Sequence, residues 1–559
     1  MNDTGSPAIR KDRLVFLPLG GSGEIGMNLN LFGYGGKWLM VDLGVTFGGE
    51  EHAGVDVIMP DPAFIAERRK DLVAIVLTHA HEDHLGAVPY LWPQLECPVY
   101  ATGFAASVLR RKLADVGLAH KVPVHEYAPG EILRLKPFDV EPIYITHSIP
   151  EPMALAIRTP AGTVLHTGDW KFDADPVLGP LTDFDSLRRV GGEGVLALVG
   201  DSTNALVPGE SGSEEDVYKN LVATIADCRQ RVAVACFSSN VGRLQSIARA
   251  AAICDRNVGL VGRSLWRMTE AARENGYLKD LPPFLDESDS AFVPRDKILL
   301  ICTGSQGEPR SALARIASDQ HPHIALEPED TVIFSSRTIP GNERAILTLQ
   351  NGLASLGVTV ITAEDKPAGA GGPIHVSGHP CQGELARMYQ FVRPRIAVPV
   401  HGESRHMHAH AELARNCQVP LAVVPANGAL VELDPDNPRI VDHVHSGRLA
   451  LDGERLVPMD GAVVKARGRM LFNGAAIATV VVDRRGRLIG APQVTAPGLI
   501  DPEADAEMLE EVIDAVATAV ERAKGDDDKL RAAALQALKR ALKDATGKRP
   551  TVDVHLVRV

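Results

Sequence analysis

Short runs of β-branched and other apolar residues recur through the first part of the chain: Leu14 to Leu19, Trp38 to Asp42, Leu72 to Leu77, Val140 to Thr146, Val164 to Thr167 and Val195 to Val199. Turn-forming residues separate them, and this pattern predicts strands. Three of the runs stop abruptly at polar residues: THAHEDH follows Leu77, HS follows Thr146 and GD follows Thr167. Polar groups placed this way fall at strand ends, where loops build sites.

A second set of apolar runs, Val232 to Cys236, Lys297 to Cys302, Thr331 to Phe334 and Val358 to Ile361, is spaced by helix-like stretches. That predicts βα units and a parallel sheet. Ala397 to Val400, ending in His401, resumes the first pattern, so the parallel block reads as an insertion. Beyond residue 446 a strand-like ATVVVD (Ala478 to Asp483) precedes two helical patterns, the first carrying Leu509, Val512, Ile513, Val516 and Val520 on one face at helical spacing. GDDDK (Gly525 to Lys529) reads as a solvated turn between the helices. The expected organisation is α/β throughout: a first domain over 1–215, an inserted domain over 216–370, the return of the first domain over 371–445, a linker over 446–460 and a small α/β domain over 461–559.

Length and composition narrow the class. A chain of 559 residues exceeds one core and fits two to four domains. No run reaches the roughly 18 apolar residues of a membrane span, and MNDTGSPAIRKDRL lacks the apolar centre of a signal peptide. We expect a cytoplasmic protein without membrane association. The seven cysteines are scattered and never form a C-x-x-C pair, which fits free thiols in a reducing compartment. The net charge of −13 argues against coating nucleic acid through the overall field, so any such contact must use a local groove.

The densest chemistry is His79-Ala80-His81-Glu82-Asp83-His84. Three imidazoles and the Asp83 carboxylate within six residues combine borderline nitrogen ligands with a hard oxygen, a donor set that suits Zn²⁺, with Mn²⁺ or Mg²⁺ as alternatives. A polar loop holding three histidines by coincidence is the bland reading. Farther on, His406 and His410 lie at i and i+4 in HGESRHMHAHAEL, with His408 between them. That segment has helical character, and its histidines read as a solvated face rather than a second metal site.

H-x-H-x-D-H resembles the hallmark of the metallo-β-lactamase fold, and the other signatures of that fold follow in order. Asp42 in VDLG matches the first acidic position, which resembles an orienting group. His147 in THSIP and Asp169 in HTGDWKFD match the next ligand positions. Taken singly, either is more often a plain loop residue. The resemblance implies an αββα sandwich with two divalent ions per subunit, His79, His81 and His147 on one, Asp83, His84 and His401 on the other, and Asp169 between them. Two such ions, about 3.5–4 Å apart, lower the pKa of a water they share and neutralise charge on a phosphorus under attack. The same fold also hydrolyses thioesters and lactams, so the centre alone does not name the substrate.

The long insertion between Asp169 and His401 resembles the β-CASP domain of nucleases. GDSTN with Asp201, HVSGHPCQGE with His379, and PVHGE with His401 match its three motifs, and His379 precedes His401 by 22 positions. Together with GGSGEIGMN (Gly20 to Asn28), TIPGNE (Thr338 to Glu343) and VDVHLVRV (Val552 to Val559), these place the resemblance in the ribonuclease J family over nearly the whole chain. It implies that His379 is the general acid for the leaving 3′ oxygen and that Asp201 orients it. An Asx turn with Ser202 and Thr203 is the plainer reading of Asp201.

CFSSNVGR, with Ser238, Asn240 and Arg243, and CTGSQGEP, with Gly304, Ser305 and Gln306, each follow an apolar strand with small residues. Their amides and hydroxyls can approach an anion closely. Arg263 and Arg337 occupy comparable positions; each segment alone is more often a plain turn, and together they outline a pocket for a 5′-phosphate. His375 is either a contact to the scissile phosphate or structural, and Ser377 is a further substrate-binding candidate. The expected activity is 5′-to-3′ exonuclease action on RNA with a 5′-monophosphate, with internal cleavage as a second mode. By the same resemblance the chain forms a homodimer or homotetramer and joins an RNA-degradation complex. Two rivals stay open: a β-CASP nuclease acting on DNA, and a glyoxalase-like metallohydrolase in which Asp201 and His379 are incidental.

Overall fold

The structure, a computed structural model, describes residues 11–49, 52, 54–365 and 372–559. Most of the stretch read for a signal peptide and the expected boundary at residues 370 and 371 lie outside the described residues.

Two sheets face each other in the first unit. In one, the central strands Val15–Gly20, Leu29–Tyr34, Lys37–Val41 and Leu72–Val76 are neighbours in an eight-stranded sheet. In the other, Phe138–Tyr144, Met153–Thr159, Gly162–His166, Ala197–Asp201 and Ile396–Val400 lie side by side in a sheet of seven. Phe16, Phe32, Leu39 and Val76 from the first sheet meet Val140, Leu155, Val164 and Val398 from the second in one core. The helices Phe184–Glu193 and Gln382–Val392 cover the outer face of the second sheet through Leu187, Val190, Leu385 and Met388. Sheets buried on both faces are why these strands read as nearly continuous apolar runs.

The insertion supplies a five-stranded parallel sheet in the order Asn257–Val261, Ile298–Cys302, Val232–Ala235, Thr331–Phe334, Thr359–Ile361. Its two faces carry separate cores, one around Val234, Ile247 and Leu299, the other around Ala233, Leu300 and Leu353. The chain then returns to the seven-stranded sheet: Ile396–Val400 pairs in parallel with Ala197–Asp201, setting Asp201 opposite Val400. This register puts two strand ends, far apart in sequence, at one edge of the site.

The second unit unites Phe47–Ile58 with Gly447–Val559. Its three-stranded sheet, Gln493–Thr495, Ala475–Val482 and Thr551–Arg558, buries one face against two helices. Val512, Val516 and Val520 of Ala506–Arg522 and Leu530, Ala534, Leu538 and Leu542 of Asp527–Thr546 form that core at spacings of one helical turn. Asp526 caps the second helix by accepting from Lys529 N, so the acidic stretch GDDDK is both a turn and a helix start.

Among the described residues no helix is long and apolar enough to cross a membrane, and all seven cysteines are free thiols. One expectation is corrected. Of the three histidines in the helix Ser404–Asn416, only His408 is exposed, whereas His406 and His410 are buried. Helical spacing turned them toward the core, where Ser202 Oγ and Tyr389 OH stand 2.9 and 2.8 Å from the two ring nitrogens of His410.

Candidate metal centre

Several of the candidate residues come from points where a strand ends and the backbone turns sharply. Asp42 follows Lys37–Val41 with φ 63°, His401 follows Ile396–Val400 with φ 50°, and Gly168, with φ 56°, precedes Asp169. For a histidine such a left-handed conformation costs on the order of 1–2 kcal/mol, and it persists because surrounding bonds fix it: His401 N donates to Gly21 O (2.6 Å) and His401 O accepts from Ser202 N (3.3 Å).

Two ligand groups form around Asp169. His79, His81, His147 and Asp169 present donor atoms within 4.8 Å of one another, and so do Asp83, His84, Asp169 and His401. In the first group His81 Nδ1 faces His79 Nε2 at 2.9 Å and His147 Nε2 at 3.1 Å. In the second, Asp169 Oδ2 lies 3.1 Å from His84 Nε2 and 3.5 Å from His401 Nε2, while Asp83 Oδ2 lies 3.6 and 3.8 Å from those same nitrogens.

A divalent ion fits this donor set. Asp169 Oδ1 and His401 Nε2 are buried and have no hydrogen-bond partner in the protein, a costly state for polar atoms unless something else binds them. Three imidazole nitrogens converging at about 3 Å cannot all satisfy one another through protons, because a neutral imidazole carries only one. Burial and the neighbouring imidazoles lower the pKa of His79 and His147 well below the ordinary value, and burial takes His81 down to about 4. The neutral ring is the form that binds a metal.

The outer nitrogens are held as firmly as the inner ones are left open. His84 Nδ1 donates to Asp42 Oδ2 (2.7 Å), His147 Nδ1 to Gly378 O (2.6 Å), His401 Nδ1 to Asn28 Oδ1 (3.1 Å) and His79 Nδ1 to Thr78 Oγ1 (3.0 Å). Thr78 in turn donates to Asp42 through its N (2.8 Å) and Oγ1 (2.9 Å). Such partners fix the tautomer and aim of each ring. Asn28 and Thr78 escaped sequence reasoning: Asn28 ends a glycine-rich motif but meets His401 across 373 positions, a contact no local pattern carries.

A third group joins Asp169, Asp201, His379 and His401. His379 Nδ1 donates to Asp201 Oδ2 at 2.8 Å and lies 3.8 Å from Asp169 Oδ2, with its ring stacked on His401. Burial alone would lower the His379 pKa, but the carboxylates of Asp201 and Asp169 and the Asp201 hydrogen bond outweigh it and raise it to about 9. Asp201 also makes the Asx turn, its other oxygen accepting from Thr203 N (2.8 Å). Glu384 anchors the segment after His379. It accepts from the backbone of Cys381, Ser211 and Phe172 and from Ser211 Oγ.

The candidate anion residues separate into two sets. Loops at the C-terminal ends of the parallel strands, where such sheets place ligands, do converge on the segment before His379. Gln306 Nε2 donates to Arg337 O (2.9 Å), Arg337 Nη1 to Asn204 Oδ1 (2.8 Å), and Asn204 Nδ2 to Ser377 Oγ (2.8 Å). His375 Nδ1 accepts from Arg243 (3.2 Å), and burial beside that guanidinium pushes its pKa well down. Ser238 is half-buried, Ser305 is buried near Gln306, and Gly304, at φ 114°, lies where a Cβ would strike Ser311.

Arg243, in contrast, is not available as expected. Its side chain is fully buried and is committed to Glu214 (2.9 and 3.1 Å) and Ser335 (2.7 and 2.8 Å). A guanidinium inside a core must be paired, and the carboxylate of Glu214 has claimed it. Asn240 caps its own helix, accepting from Arg243 N (2.8 Å). Arg263 stands exposed at the start of Arg263–Glu274, outside this network among the described residues.

Comparison with known proteins matches the same regions. Family models match as the metallo-β-lactamase superfamily over residues 28–210, the ribonuclease J β-CASP domain over 229–353, the Zn-dependent metallo-hydrolase RNA specificity domain over 373–420 and the ribonuclease J C-terminal domain over 462–559. Ribonuclease J of Sinorhizobium meliloti is 46% identical over 557 residues, covering 98% of each chain. Ribonuclease J of Mycolicibacterium smegmatis is 39% identical, covering 93% of this chain and 92% of its own, and ribonuclease J 1 of Streptococcus pyogenes is 34% identical, covering 98% of each. A crystal structure of a protein of unknown function from Enterococcus faecalis shares the fold, with 15% identity and a TM-score of 0.51 over 75% of this chain and all of that one. Identity of this extent, spread from end to end over a chain whose motif residues meet in one centre, shows that this protein belongs to the ribonuclease J family.

Proposed function

We propose that this chain is a metal-dependent ribonuclease that degrades RNA from a 5′-monophosphate end, with internal cleavage as a second mode, in RNA processing and decay in the cytoplasm. One observation carries the reading: the loops of the inserted sheet converge, through Gln306, Arg337 and Asn204, on the segment that holds Ser377 and His379 beside Asp169. A phosphate bound there would lie next to the ligand groups, which is catalysis by positioning.

His79, His81 and His147 would hold one ion and Asp83, His84 and His401 the other, with Asp169 shared. The donor set favours Zn²⁺ over Mn²⁺ or Mg²⁺. Bound together, two such ions supply Lewis acidity that activates water and neutralises charge at phosphorus. The chain's own groups do the rest. His379, held at Nδ1 by Asp201, would give its proton to the leaving 3′ oxygen. Ser377 Oγ already accepts from Asn204 Nδ2 and His379 N, so its own hydrogen is left to donate to a phosphate oxygen. His375, neutral and accepting at Nδ1, carries its proton on Nε2 and can donate from there. Oligomerisation of the chain belongs to the same reading, with sedimentation of the full-length protein as its measure.

The deciding experiment uses metal-reconstituted protein with 5′-labelled and 3′-labelled RNA bearing a 5′-monophosphate or a 5′-triphosphate, and a matched DNA strand. Mononucleotides released first from the 5′ label on monophosphate RNA support the reading. Equal rates on the two ends would remove the 5′-phosphate pocket, and faster digestion of the DNA would remove RNA as the substrate.

A further inference from the structure

Asn204 is a buried amide in the turn that follows Asp201, and it touches no donor atom of the ligand groups. Its position is nevertheless distinctive. Nδ2 donates to Ser377 Oγ (2.8 Å) and to His379 O (3.1 Å), and Oδ1 accepts from Arg337 Nη1 (2.8 Å). The chemistry of the partners fixes which way the amide points, because a carbonyl can only accept and a guanidinium can only donate. Both amide hydrogens and the oxygen are thus used, and a flip would break all three contacts at once.

The segment 377–379 is held on its other side as well. His379 N donates to Ser377 Oγ (3.1 Å), Gly378 O accepts from His147 Nδ1, and His379 Nδ1 donates to Asp201 Oδ2. Asp201 therefore fixes the ring of His379, while Asn204 fixes the peptide that carries it. A general acid must stand within hydrogen-bond reach of the oxygen it protonates, and displacement by about 1 Å costs on the order of 100-fold in rate.

We infer that Asn204, oriented by Arg337, is a positioning residue that sets the His379 imidazole for proton delivery to the leaving oxygen. The inference rests on His379 acting as that acid. Asn204 is not a catalytic residue in its own right, since it acts only through the His379 peptide.

The test separates this role from simple support of the fold. Asn204→Asp, close to isosteric, removes both donors and sets an oxygen against His379 O, while Asn204→Ala removes the side chain. Each variant, with His379→Ala alongside, is assayed on RNA and on bis(p-nitrophenyl) phosphate, whose leaving group departs without a proton. Metal content and melting temperature are measured on the same samples. We expect turnover of RNA to fall 10- to 100-fold in both Asn204 variants with little change in KM and full metal content, and the loss on the nitrophenyl ester to stay within about threefold. Arg337→Gln should show the same selectivity in a weaker form. Equal losses on both substrates at full metal content, or a loss of RNA turnover explained by lost metal, would overturn the positioning role. If His379→Ala itself loses both activities equally, the general-acid reading has failed and the Asn204 inference falls with it.

Discussion

His379 Nδ1 lies 2.8 Å from Asp201 Oδ2 and 3.8 Å from Asp169 Oδ2, so one imidazole faces a carboxylate outside the proposed metal pair and one between its two groups. If the Asp201 contact keeps the ring protonated and aimed, His379→Ala and Asp201→Asn act on one function. Each should lower kcat on RNA by about 10²–10⁴-fold with metal content near normal. The double variant should be little worse than the single ones, since groups that act as a unit are not additive. A fully multiplicative double variant would show that they work independently.

Asp169 is the one residue common to all three donor groups. Asp169→Asn should therefore lower the affinity for both ions, whereas His401→Ala should lower bound metal from two ions per chain to about one. Elemental analysis after dialysis checks both. Chelation should also lower the melting temperature of the wild type, because ligands that bind only the folded state stabilise it. Equal metal loss in the two variants would refute the shared position of Asp169.

How much of this was legible beforehand depended on the range of the contacts. The strands leading to His79, His147 and Asp169 could be read from short apolar runs that stop at polar residues, and the return at His401 from the same pattern reappearing after a parallel block. The partners that orient the ligands could not. Asn28 reaches His401 across 373 positions and Asn204 reaches Ser377 across 173, and a lone Asn near a turn carries no mark of such a contact. Burial was the other hidden quantity. Arg243 and His410 sit in segments with helical or glycine-rich character, and which face points inward is decided by what packs against it.

Arg243 supplies a prediction that divides structure from substrate binding. With a fully buried side chain paired to Glu214, Arg243→Ala should destabilise the first unit by about 3–5 kcal/mol, the usual penalty for stranding one member of a buried pair. Adding Glu214→Gln should recover part of that loss. A raised KM for 5′-monophosphate RNA with unchanged stability would instead restore the anion-binding role.

Ser377→Ala removes a hydroxyl that accepts from Asn204 and His379 N. If its own hydrogen contacts the 5′-phosphate, the ratio of kcat/KM for monophosphate over triphosphate RNA should fall by roughly 10- to 150-fold, the worth of about one hydrogen bond to a charged group. Internal cleavage, which does not engage the terminal phosphate, should fall less. An unchanged ratio would exclude Ser377 from the pocket.

His410 makes the fold sensitive to acid. Burial depresses its pKa from 6.5 to about 4, with the charge of Asp201 opposing only in part. The unfolded chain therefore binds a proton that the folded chain refuses, and stability rises with pH between those two values. Its contribution is fully present above about pH 6.5 and is lost as pH falls toward 4, in total about 3 kcal/mol for a shift of this size. Protonation would also convert the ring to a donor at both nitrogens, so that Ser202 Oγ and Tyr389 OH would both have to accept from it. Melting temperature recorded from pH 8 to pH 5 on metal-free wild type and His410→Gln checks this: the variant should start lower at pH 8 and decline less steeply below pH 6.5. Parallel curves would mean that His410 does not titrate in this window and that the acid sensitivity has another source.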